Sequence, residues 1–368
     1  MNPASPLQTC LSDLHRECGG RMVDFAGWEM PVQYESIQKE HMATRSSVGI
    51  FDVGHMGRIS ILGEKALDFV NRLVTRNVTA LQAHQVGYTL VCNTEGGVQD
   101  DILVYRGEGS TVSLVVNASN RQKILQWFQE YRDSHGDDVE IRDNTLETGM
   151  IAVQGPGAEI VTGHILRQDL SRMGYYRWRE VSLLGTPVCV SRTGYTGEDG
   201  FELSAPPDMI RKMWLALFSA GAEPCGLGAR DILRLEMGYP LYGHELTEQT
   251  NPWEIGLGRV IDLGKSDFIG KTALQAMKER GISKRLTGLV LKERGIPREG
   301  YPVLAGEKHV GIVTSGGYSP CRKAGIALAL VETGCVPEAV EIRGRAIPAA
   351  VEKPPFIPSR VKAIPKPK

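Results

Sequence analysis

The sequence lacks the features that would place it in several broad classes of protein. Its 368 residues contain no apolar run near the roughly 18 residues that a membrane-spanning helix needs. Lysine and arginine total 42 against 43 acidic residues, so the large basic excess typical of nucleic-acid binding is missing. The N-terminal residues show neither the apolar core of a secretory signal nor an arginine-rich face. These absences predict a cytoplasmic protein that binds neither nucleic acid nor membrane.

Cysteine and histidine are distributed in a way that argues against two kinds of site. The seven cysteines are odd in number and never occur at C-x-x-C spacing, which argues against a disulfide framework and a zinc ribbon. The eight histidines show no metal-ligand spacing. We therefore expect reduced thiols and no metal.

Three catalytic signatures begin in this sequence and then fail on spacing. Gly270-Lys271-Thr272 ends like a phosphate-binding loop, but Lys265 stands where that loop needs its first glycine. His244-Glu245 opens like a zinc-protease helix, but Glu248 replaces the second histidine. Ser315 is not preceded by the glycine of a nucleophile elbow. Nucleotide hydrolysis, zinc proteolysis and serine hydrolysis therefore lose their support.

What is present indicates a mixed α+β protein of two or three domains. The 42 glycines, about 11% against the usual ~7%, are not periodic, so they predict many tight turns and much antiparallel sheet. After Gly281, short β-rich segments separated by glycine and proline are typical of a small barrel or roll. Earlier predictions include a helix over 7–18, a loosely alternating strand over 48–62, a hairpin over 88–105, and a helix over 120–132 capped by Ser119 or Asn120.

Two glycine-rich turns carry carboxylates. Gly96-Gly97 precedes Asp100-Asp101 at the start of a strand, where adjacent side chains point to opposite faces. We expect one acid to face solvent and the other the interior, although an exposed acidic hairpin would have the same pattern. The second turn, 193–200, leads to Glu202, which alternates with Phe201 on a strand. A buried carboxylate needs hydrogen-bond donors, and the amino-pyrimidine edge of a heterocycle would supply them.

Several long segments, taken together, resemble one family. They include DFAGWEMP at 24–31, FDVGHMG at 51–57, the turn at 96–101, VQGP at 153–156, the stretch 191–202, CGLGARD at 225–231 and RLE at 234–236. The chain is similar to glycine cleavage T-proteins, a family of aminomethyltransferases, from about Leu7 to about Arg360. Gly54 and the pair Arg76-Asn77 depart from the family pattern.

This resemblance implies a three-domain cloverleaf around a central tetrahydrofolate site. Two domains would be discontinuous, the first over 1–51 plus 143–240 and the second over 52–142 plus 241–283. The third would be the β-rich unit over 284–368. The expected partner is the lipoylated H-protein, whose aminomethyl group passes to tetrahydrofolate with release of ammonia and formation of 5,10-methylenetetrahydrofolate.

The resemblance also implies roles for individual residues. Asp101 matches the catalytic aspartate, a group expected to stabilise a developing cation and accept a proton. Glu202 matches the carboxylate that binds the donor edge of the pterin. Further folate contacts are expected at Tyr195, Arg230, Tyr88, Asn117 and Tyr175. For Arg230, contact with the pterin and support of Glu202 are both open. Arg360 or Lys362 would contact the folate tail or the carrier protein, while Trp28, Met30 and the segment 52–57 are expected to serve packing.

Two alternative functions share the same fold. A folate-binding assembly factor would carry a Lys-Gly-Cys-Tyr-x-Gly-Gln-Glu signature, but Pro240 stands where its cysteine would be. A folate-dependent demethylase of a small methylated substrate would share the pterin residues, and the sequence alone does not separate it from an aminomethyltransferase.

Overall fold

The structure is a computed structural model that describes residues 5–362, and it contains two central sheets, a small N-terminal sheet and a closed barrel. The central sheets contact each other through Tyr105 and Ser191, whose hydroxyl groups lie 3.2 Å apart. Within the described range, no helix is long and apolar enough to cross a membrane.

The first central sheet is assembled from distant parts of the chain. In spatial order its strands are Trp178–Leu183, Thr186–Ser191, Gly200–Ala205, Gly149–Gln154, Gly49–Asp52 and Glu223–Pro224. Neighbours are antiparallel except for the last pair, which is parallel. One face is covered by helices, and Phe201 and Trp214 lie in the resulting buried core. The opposite face packs in part on the helix Leu227–Met237 and in part faces the second sheet.

The second central sheet comes from one continuous stretch and is entirely antiparallel. Its strands, in spatial order, are Val86–Cys92, Val98–Arg106, Val112–Val116, Gly57–Leu62 and Glu140–Asp143. Phe69 and Phe128, from two covering helices, pack edge to face at 6.2 Å in the core of this sheet.

The remaining strands form the barrel and the N-terminal sheet. The barrel closes in the order Lys284–Leu291, Ala324–Glu332, Lys308–Ser319, Pro302–Ala305, Ala339–Ile342 and Arg345–Val351. The N-terminal sheet has the order Leu7–Gln8, Trp28–Gln33 and Arg21–Phe25. The α-helices of the described residues are Ser12–Glu17, Ile37–Ser46, Ala66–Leu73, Arg121–His135, Ala158–Leu166, Pro207–Ser219, Leu227–Met237 and Lys271–Arg280.

The helix Leu227–Met237 lies between the first central sheet and the barrel. Ala229 and Leu233 pack with Phe51 of the first sheet in one buried cluster. Leu235 packs in another cluster with barrel residues, among them Ile326. Because both sides of this helix are buried, its position depends on both units.

Buried charges fix the same helix. The Arg45 guanidinium donates to Glu236 Oε2 at 2.7 Å, to Glu198 Oε1 at 2.8 Å and to the Thr196 carbonyl at 2.7 Å. His41 Nε2 lies 2.9 Å from Glu236 Oε2. Arg45 is only 3% exposed and Glu236 is fully buried. The network therefore joins the helix Ile37–Ser46, the helix Leu227–Met237 and the glycine-rich turn 193–200.

The structure confirms the α+β class and the β-barrel and corrects several local predictions. The first helix spans only Ser12–Glu17, since Leu7–Gln8 joins the N-terminal sheet. The segment 48–62 is not one strand: Gly49–Asp52 and Gly57–Leu62 belong to different central sheets. Asn120 occupies the N-cap position of its helix but makes no side-chain cap; its backbone is already helical there, and its amide donates to Asp100.

The strand origins support a proposal for the domain organisation. The described strands of the first central sheet come from 49–52 and 149–224, and those of the second from 57–143. We propose that the domains are 1–51 plus 143–240, 52–142 plus 241–283, and 284–368.

We expect Arg45→Ala to lower the free energy of unfolding by about 3–5 kcal/mol, because it leaves Glu236 buried without its guanidinium partner. Chemical denaturation monitored by circular dichroism measures the change. The matched control is Arg142→Ala, which removes an exposed ion pair with Glu140 and is expected to cost less than about 1 kcal/mol. Equal effects of the two substitutions would contradict the structural role of Arg45.

Candidate functional site

A cavity of about 140 Å³ lies between the two central sheets. Tyr105, Ser113 and Val115 line it from the second sheet, and Ser191 and Glu202 line it from the first. Polar and apolar side chains thus share a space at the junction of two sheets, which is a common position for a ligand site.

Asp101 lies on the open face of the second sheet, beside two other predicted site residues. On the strand Val98–Arg106, Ile102 and Val104 point into the helix-covered core, so the alternate residue Asp101 points the other way. Its carboxylate accepts a hydrogen bond from the Tyr88 hydroxyl at 3.0 Å and one from Asn117 Nδ2 at 2.8 Å. The structure therefore brings Asp101, Tyr88 and Asn117 together.

The prediction that one of the two adjacent acids faces solvent is wrong. Asp100 is fully buried and Asp101 is half-buried. Asp100 is the interior acid, because the helix Arg121–His135 covers the face to which it points. Asp101 is on the other face, where Tyr88 and Asn117 contact its carboxylate and partly cover it. Burial raises the pKa of both carboxyl groups, and the charge of Asp101 raises that of Asp100 further. The hydrogen bonds from Tyr88 and Asn117 act to lower the pKa of Asp101, but burial has the larger effect.

The double glycine before these acids is required by the local geometry. Gly96 has φ +83°, in the region that side-chain-bearing residues rarely adopt. A Cβ atom on Gly97 would lie 1.7 Å from the Glu248 carbonyl oxygen, so any side chain there would displace the neighbouring segment. The turn thus starts the strand in the register that places Asp101 on the open face of the second sheet.

Glu202 presents a carboxylate from the facing sheet. It is 7% exposed, and the neighbouring Phe201 is fully buried in the opposite core, as the alternation predicted. The Thr193 hydroxyl donates to Oε2. Among residues 5–362, no donor contacts Oε1, so this oxygen can accept a hydrogen bond from a ligand.

Arg230 supplies a buried donor near this carboxylate. Its Nη1 atom is buried and has no hydrogen-bond partner among the described residues. Burial lowers the pKa of Arg230, whereas the negative charge of Glu202 acts to raise it, although the two side chains form no ion pair in the described structure. Since Arg230 does not hold Glu202 directly, we favour the alternative that it contacts a ligand.

Aromatic rings form a wall beside Arg230. The guanidinium carbon lies 5.1 Å from the Tyr195 ring centre, and Tyr195 stacks on Tyr239 at 5.7 Å. The Tyr195 hydroxyl donates to the Pro240 carbonyl, so its ring rather than its hydroxyl is available to a ligand. Tyr175 packs edge to face on Tyr176 at 4.7 Å, and both are half-buried.

Arg360 and Lys362 bind the end of the described chain to the turn 193–200 and to the helix Ala158–Leu166, respectively. Arg360 Nη2 donates to Glu198 Oε1 at 2.6 Å, and Lys362 Nζ donates to Glu159 Oε2 at 3.0 Å. The Arg360 side chain is still 52% exposed, so a contact with a folate tail or carrier protein remains a prediction.

His55 is a candidate that the sequence interpretation assigned to packing. It is 3% exposed, and its Nδ1 atom is buried without a partner among residues 5–362. Burial lowers the pKa of His55 to about 4, and the positive charges of Arg230 and Arg58 also lower it. The negative charge of Asp52 acts to raise it. The signal available in the sequence was a histidine close to Asp52 in the otherwise apolar segment 50–56. By contrast, Trp28 and Met30 are buried, as expected for packing residues.

Two family models match this chain, one over its first two thirds and the other over the C-terminal barrel. Residues 11–265 match the family described as the GCVT N-terminal domain, and residues 284–357 match the glycine cleavage T-protein C-terminal barrel domain. The aminomethyltransferase of Moorella thermoacetica is 47% identical over 95% of this chain and 97% of its own length. That of Rubrobacter xylanophilus is 47% identical over 95% and 94%, respectively.

A solved structure extends the similarity to three dimensions. The glycine cleavage system aminomethyltransferase T from Bartonella henselae superimposes with a TM-score of 0.90 at 30% identity, covering 96% of this chain and 99% of that one. The fold and these matches define a one-carbon transferase with a C-terminal barrel domain. This chain belongs to the glycine cleavage T-protein family of aminomethyltransferases.

We expect His55 to stay neutral between pH 5 and 8, because its pKa is held well below the ordinary value of about 6.5. Because His55 binds a proton less readily in the folded than in the unfolded protein, its contribution to the free energy of unfolding is present above pH 6.5. This contribution is lost as the pH falls from about 6.5 toward 4. Arg230→Met should raise the pKa of His55, since it removes one of the two nearby cations. NMR titration of the histidines measures the pKa of His55 in the unsubstituted protein and in the Arg230→Met variant.

The control for the His55 experiment is Arg211→Met, which removes an exposed positive charge paired with Asp13. It should leave the His55 titration unchanged. A His55 resonance that titrates near pH 6.5 in the unsubstituted protein would contradict the described environment.

Proposed function

We propose that this protein is the aminomethyltransferase of the glycine cleavage reaction. It transfers the methylene carbon from the S-aminomethyl-dihydrolipoyl arm of H-protein to tetrahydrofolate, with release of ammonia and formation of 5,10-methylenetetrahydrofolate. The carrying observation is the pair of carboxylates on facing sheets, Glu202 with a free oxygen and Asp101 between Tyr88 and Asn117. The cytoplasm, expected from the sequence, is the compartment we propose.

The residues around Glu202 fit the pterin group of tetrahydrofolate. The amino-pyrimidine edge carries adjacent N–H donors, which match the unpaired Oε1 of Glu202. Arg230 Nη1 is a buried donor that needs an acceptor, and an unpaired buried donor costs about 1–3 kcal/mol. The Tyr195 ring, held against Arg230 and Tyr239, offers a stacking surface.

Asp101 performs the chemical role in this proposal. Tetrahydrofolate supplies the two nitrogens that take up the carbon. Positive charge develops on that carbon when its bond to sulfur or to the departing ammonia breaks, and a fixed carboxylate stabilises it. The same carboxylate accepts the proton lost from the nitrogen that forms the last bond. The Tyr88 and Asn117 hydrogen bonds hold Asp101 in one orientation, so that the carboxylate needs no rearrangement during the reaction.

The partner in this proposal is a mobile lipoyl arm on a separate protein. The transferred carbon lies between sulfur and nitrogen at the oxidation level of formaldehyde, so its transfer needs no protein nucleophile. Arg360 and Lys362, both exposed in part, are the positions at which we propose contact with the folate tail or the carrier.

Asp101→Asn should leave tetrahydrofolate affinity roughly intact and slow the transfer by ~10² or more, because it removes charge while keeping shape. Calorimetric binding and ammonia release from loaded H-protein measure the two effects. The matched control is Asp68→Asn, an exposed aspartate on the helix Ala66–Leu73. Normal turnover of the Asp101 variant would remove this residue from the mechanism.

Glu202→Gln should instead weaken tetrahydrofolate binding by about tenfold or more, because an amide donor would replace one carboxylate oxygen opposite the pterin N–H groups. Calorimetric titration of the folded variant tests this, with Glu180→Gln as an exposed control on the edge strand Trp178–Leu183 of the same sheet. Unchanged affinity of Glu202→Gln would show that Glu202 does not contact the pterin.

A further inference from the structure

Two arginines at the edge of the second central sheet have no anionic partner. Arg76 is half-buried, and its Nε donates to the Tyr88 carbonyl on the edge strand Val86–Cys92 at 2.8 Å, whereas its Nη1 and Nη2 make no hydrogen bond within the described range. Arg259, in the short 3₁₀ helix Leu257–Val260, is exposed and forms no ion pair within that range. Arg76 also stands at a position where the chain departs from the family pattern, so that pattern does not account for it.

Two hydrogen bonds bring these arginines close to each other. The Thr75 hydroxyl donates to the Val260 carbonyl at 2.9 Å, and the Asp262 backbone N–H donates to the Thr75 carbonyl at 2.9 Å. The chain around Arg76 is thereby joined to the chain around Arg259. Burial lowers the pKa of Arg76, and the positive charge of Arg259 lowers it further, so the two guanidinium groups lie close enough to repel each other.

The nearby acid does not neutralise this pair. Asp262 is the carboxylate whose charge acts on Arg76, but its Oδ1 accepts from the Gly264 backbone N–H at 2.9 Å and it forms no ion pair with either arginine in the described structure. Both positive charges reach the same hydroxyl: burial raises the pKa of Tyr176 to about 12, whereas Arg259 and Arg76 act to lower it. Two guanidinium groups held together without an anion are typical of a site that binds a carboxylate or phosphate.

The pair lies beside the candidate site. Tyr88 contacts both: its hydroxyl donates to Asp101 at 3.0 Å, and its backbone carbonyl accepts from Arg76. Burial raises the pKa of Tyr239, a ring of the aromatic wall, and the charge of Arg259 acts to lower it, so Arg259 is close to that wall. A ligand that contacts Asp101 and the aromatic wall can therefore extend toward the two arginines.

We propose that Arg76 and Arg259 form a subsite that binds the carboxylates of the glutamate tail of tetrahydrofolate. This inference rests on the proposed function. In tetrahydrofolate a p-aminobenzoyl group separates the reacting nitrogen from the glutamate, and its length is comparable to that of the Tyr88 side chain, which separates Asp101 from the carbonyl that holds Arg76.

The ion pairs of the C-terminal residues favour this assignment. Arg360 and Lys362 already hold the carboxylates of Glu198 and Glu159, at 2.6 and 3.0 Å. Binding the tail there would compete with these ion pairs, whereas the two unpaired arginines bind a carboxylate without breaking an existing contact. The assignment leaves the carrier protein as the contact of Arg360 and Lys362.

The test compares calorimetric binding of tetrahydrofolate with that of tetrahydropteroate, which has the same pterin and p-aminobenzoyl groups but no glutamate. The unsubstituted protein should bind tetrahydrofolate about tenfold more tightly or better. Arg76→Gln and Arg259→Gln should each weaken tetrahydrofolate binding by about five- to tenfold and leave tetrahydropteroate binding unchanged, because only tetrahydrofolate carries the tail. The matched control is Arg294→Gln, an exposed arginine of the barrel domain, which should change neither affinity.

Three results would overturn the subsite. The unsubstituted protein could bind both ligands equally well, which would show that the tail makes no favourable contact. The variants could weaken both ligands equally, which would make the arginines structural residues of the sheet edge. They could also raise the KM for H-protein while tetrahydrofolate affinity stays the same, which would make the pair a contact of the carrier.

Failure of the subsite can be distinguished from failure of the proposed function. Tail-dependent binding that both variants weaken, without ammonia release from loaded H-protein, would keep the subsite and overturn the transfer reaction. Tetrahydrofolate-dependent ammonia release with unchanged affinities in the variants would overturn only the subsite. If Arg76→Gln does not fold, since it also loses the bond to the Tyr88 carbonyl, the exposed Arg259→Gln and the two ligands on the unsubstituted protein decide the question.

Discussion

The buried ion pair between Arg45 and Glu236 is the interaction on which the geometry of the site depends. It fixes the helix Leu227–Met237, which begins just before Arg230 and packs on both the first central sheet and the barrel. The same guanidinium binds Glu198 and the Thr196 carbonyl, and so holds the glycine-rich turn that carries Tyr195. Removing charges from water is unfavourable, so such a pair is stable only because each partner has several hydrogen bonds. It places Arg230 and Tyr195 in contact before any ligand arrives.

The two central sheets divide the chemistry between them. The first sheet contributes Glu202, whose free oxygen suits recognition of a donor edge, while the second contributes Asp101 within a set of polar side chains. In the proposed function, Glu202, which lines the cavity, is the binding carboxylate, and Asp101, which contacts Tyr88 and Asn117 on the second sheet, is the reactive carboxylate. This separation explains why substitutions of the two acids should affect different steps. The match to aminomethyltransferases over nearly the whole chain also argues against the assembly-factor and demethylase alternatives.

Local features of the sequence predicted much of this arrangement, and long-range contacts account for what they missed. The Gly96-Gly97 turn and the alternation of Phe201 with Glu202 are properties of neighbouring residues, so the pattern alone was sufficient. The burial of Asp100 depends on a helix that begins at Arg121, and the Arg45–Glu236 pair joins residues 191 positions apart. Neither contact has a signature in composition or periodicity. The expected roles of Arg230, Tyr88 and Asn117 came from the family resemblance, and only the fold shows that Tyr88 and Asn117 both contact Asp101.

Tracing the transferred carbon is the most direct test of the account. H-protein loaded with a ¹³C-labelled aminomethyl group would be mixed with the protein and tetrahydrofolate, and the label would be followed by NMR while ammonia is measured in parallel. We expect the label to appear in 5,10-methylenetetrahydrofolate in an amount equal to the ammonia released, and both to require the protein. Ammonia release without labelled methylenetetrahydrofolate, or no release above the background of H-protein alone, would contradict the assignment of this site to aminomethyl transfer.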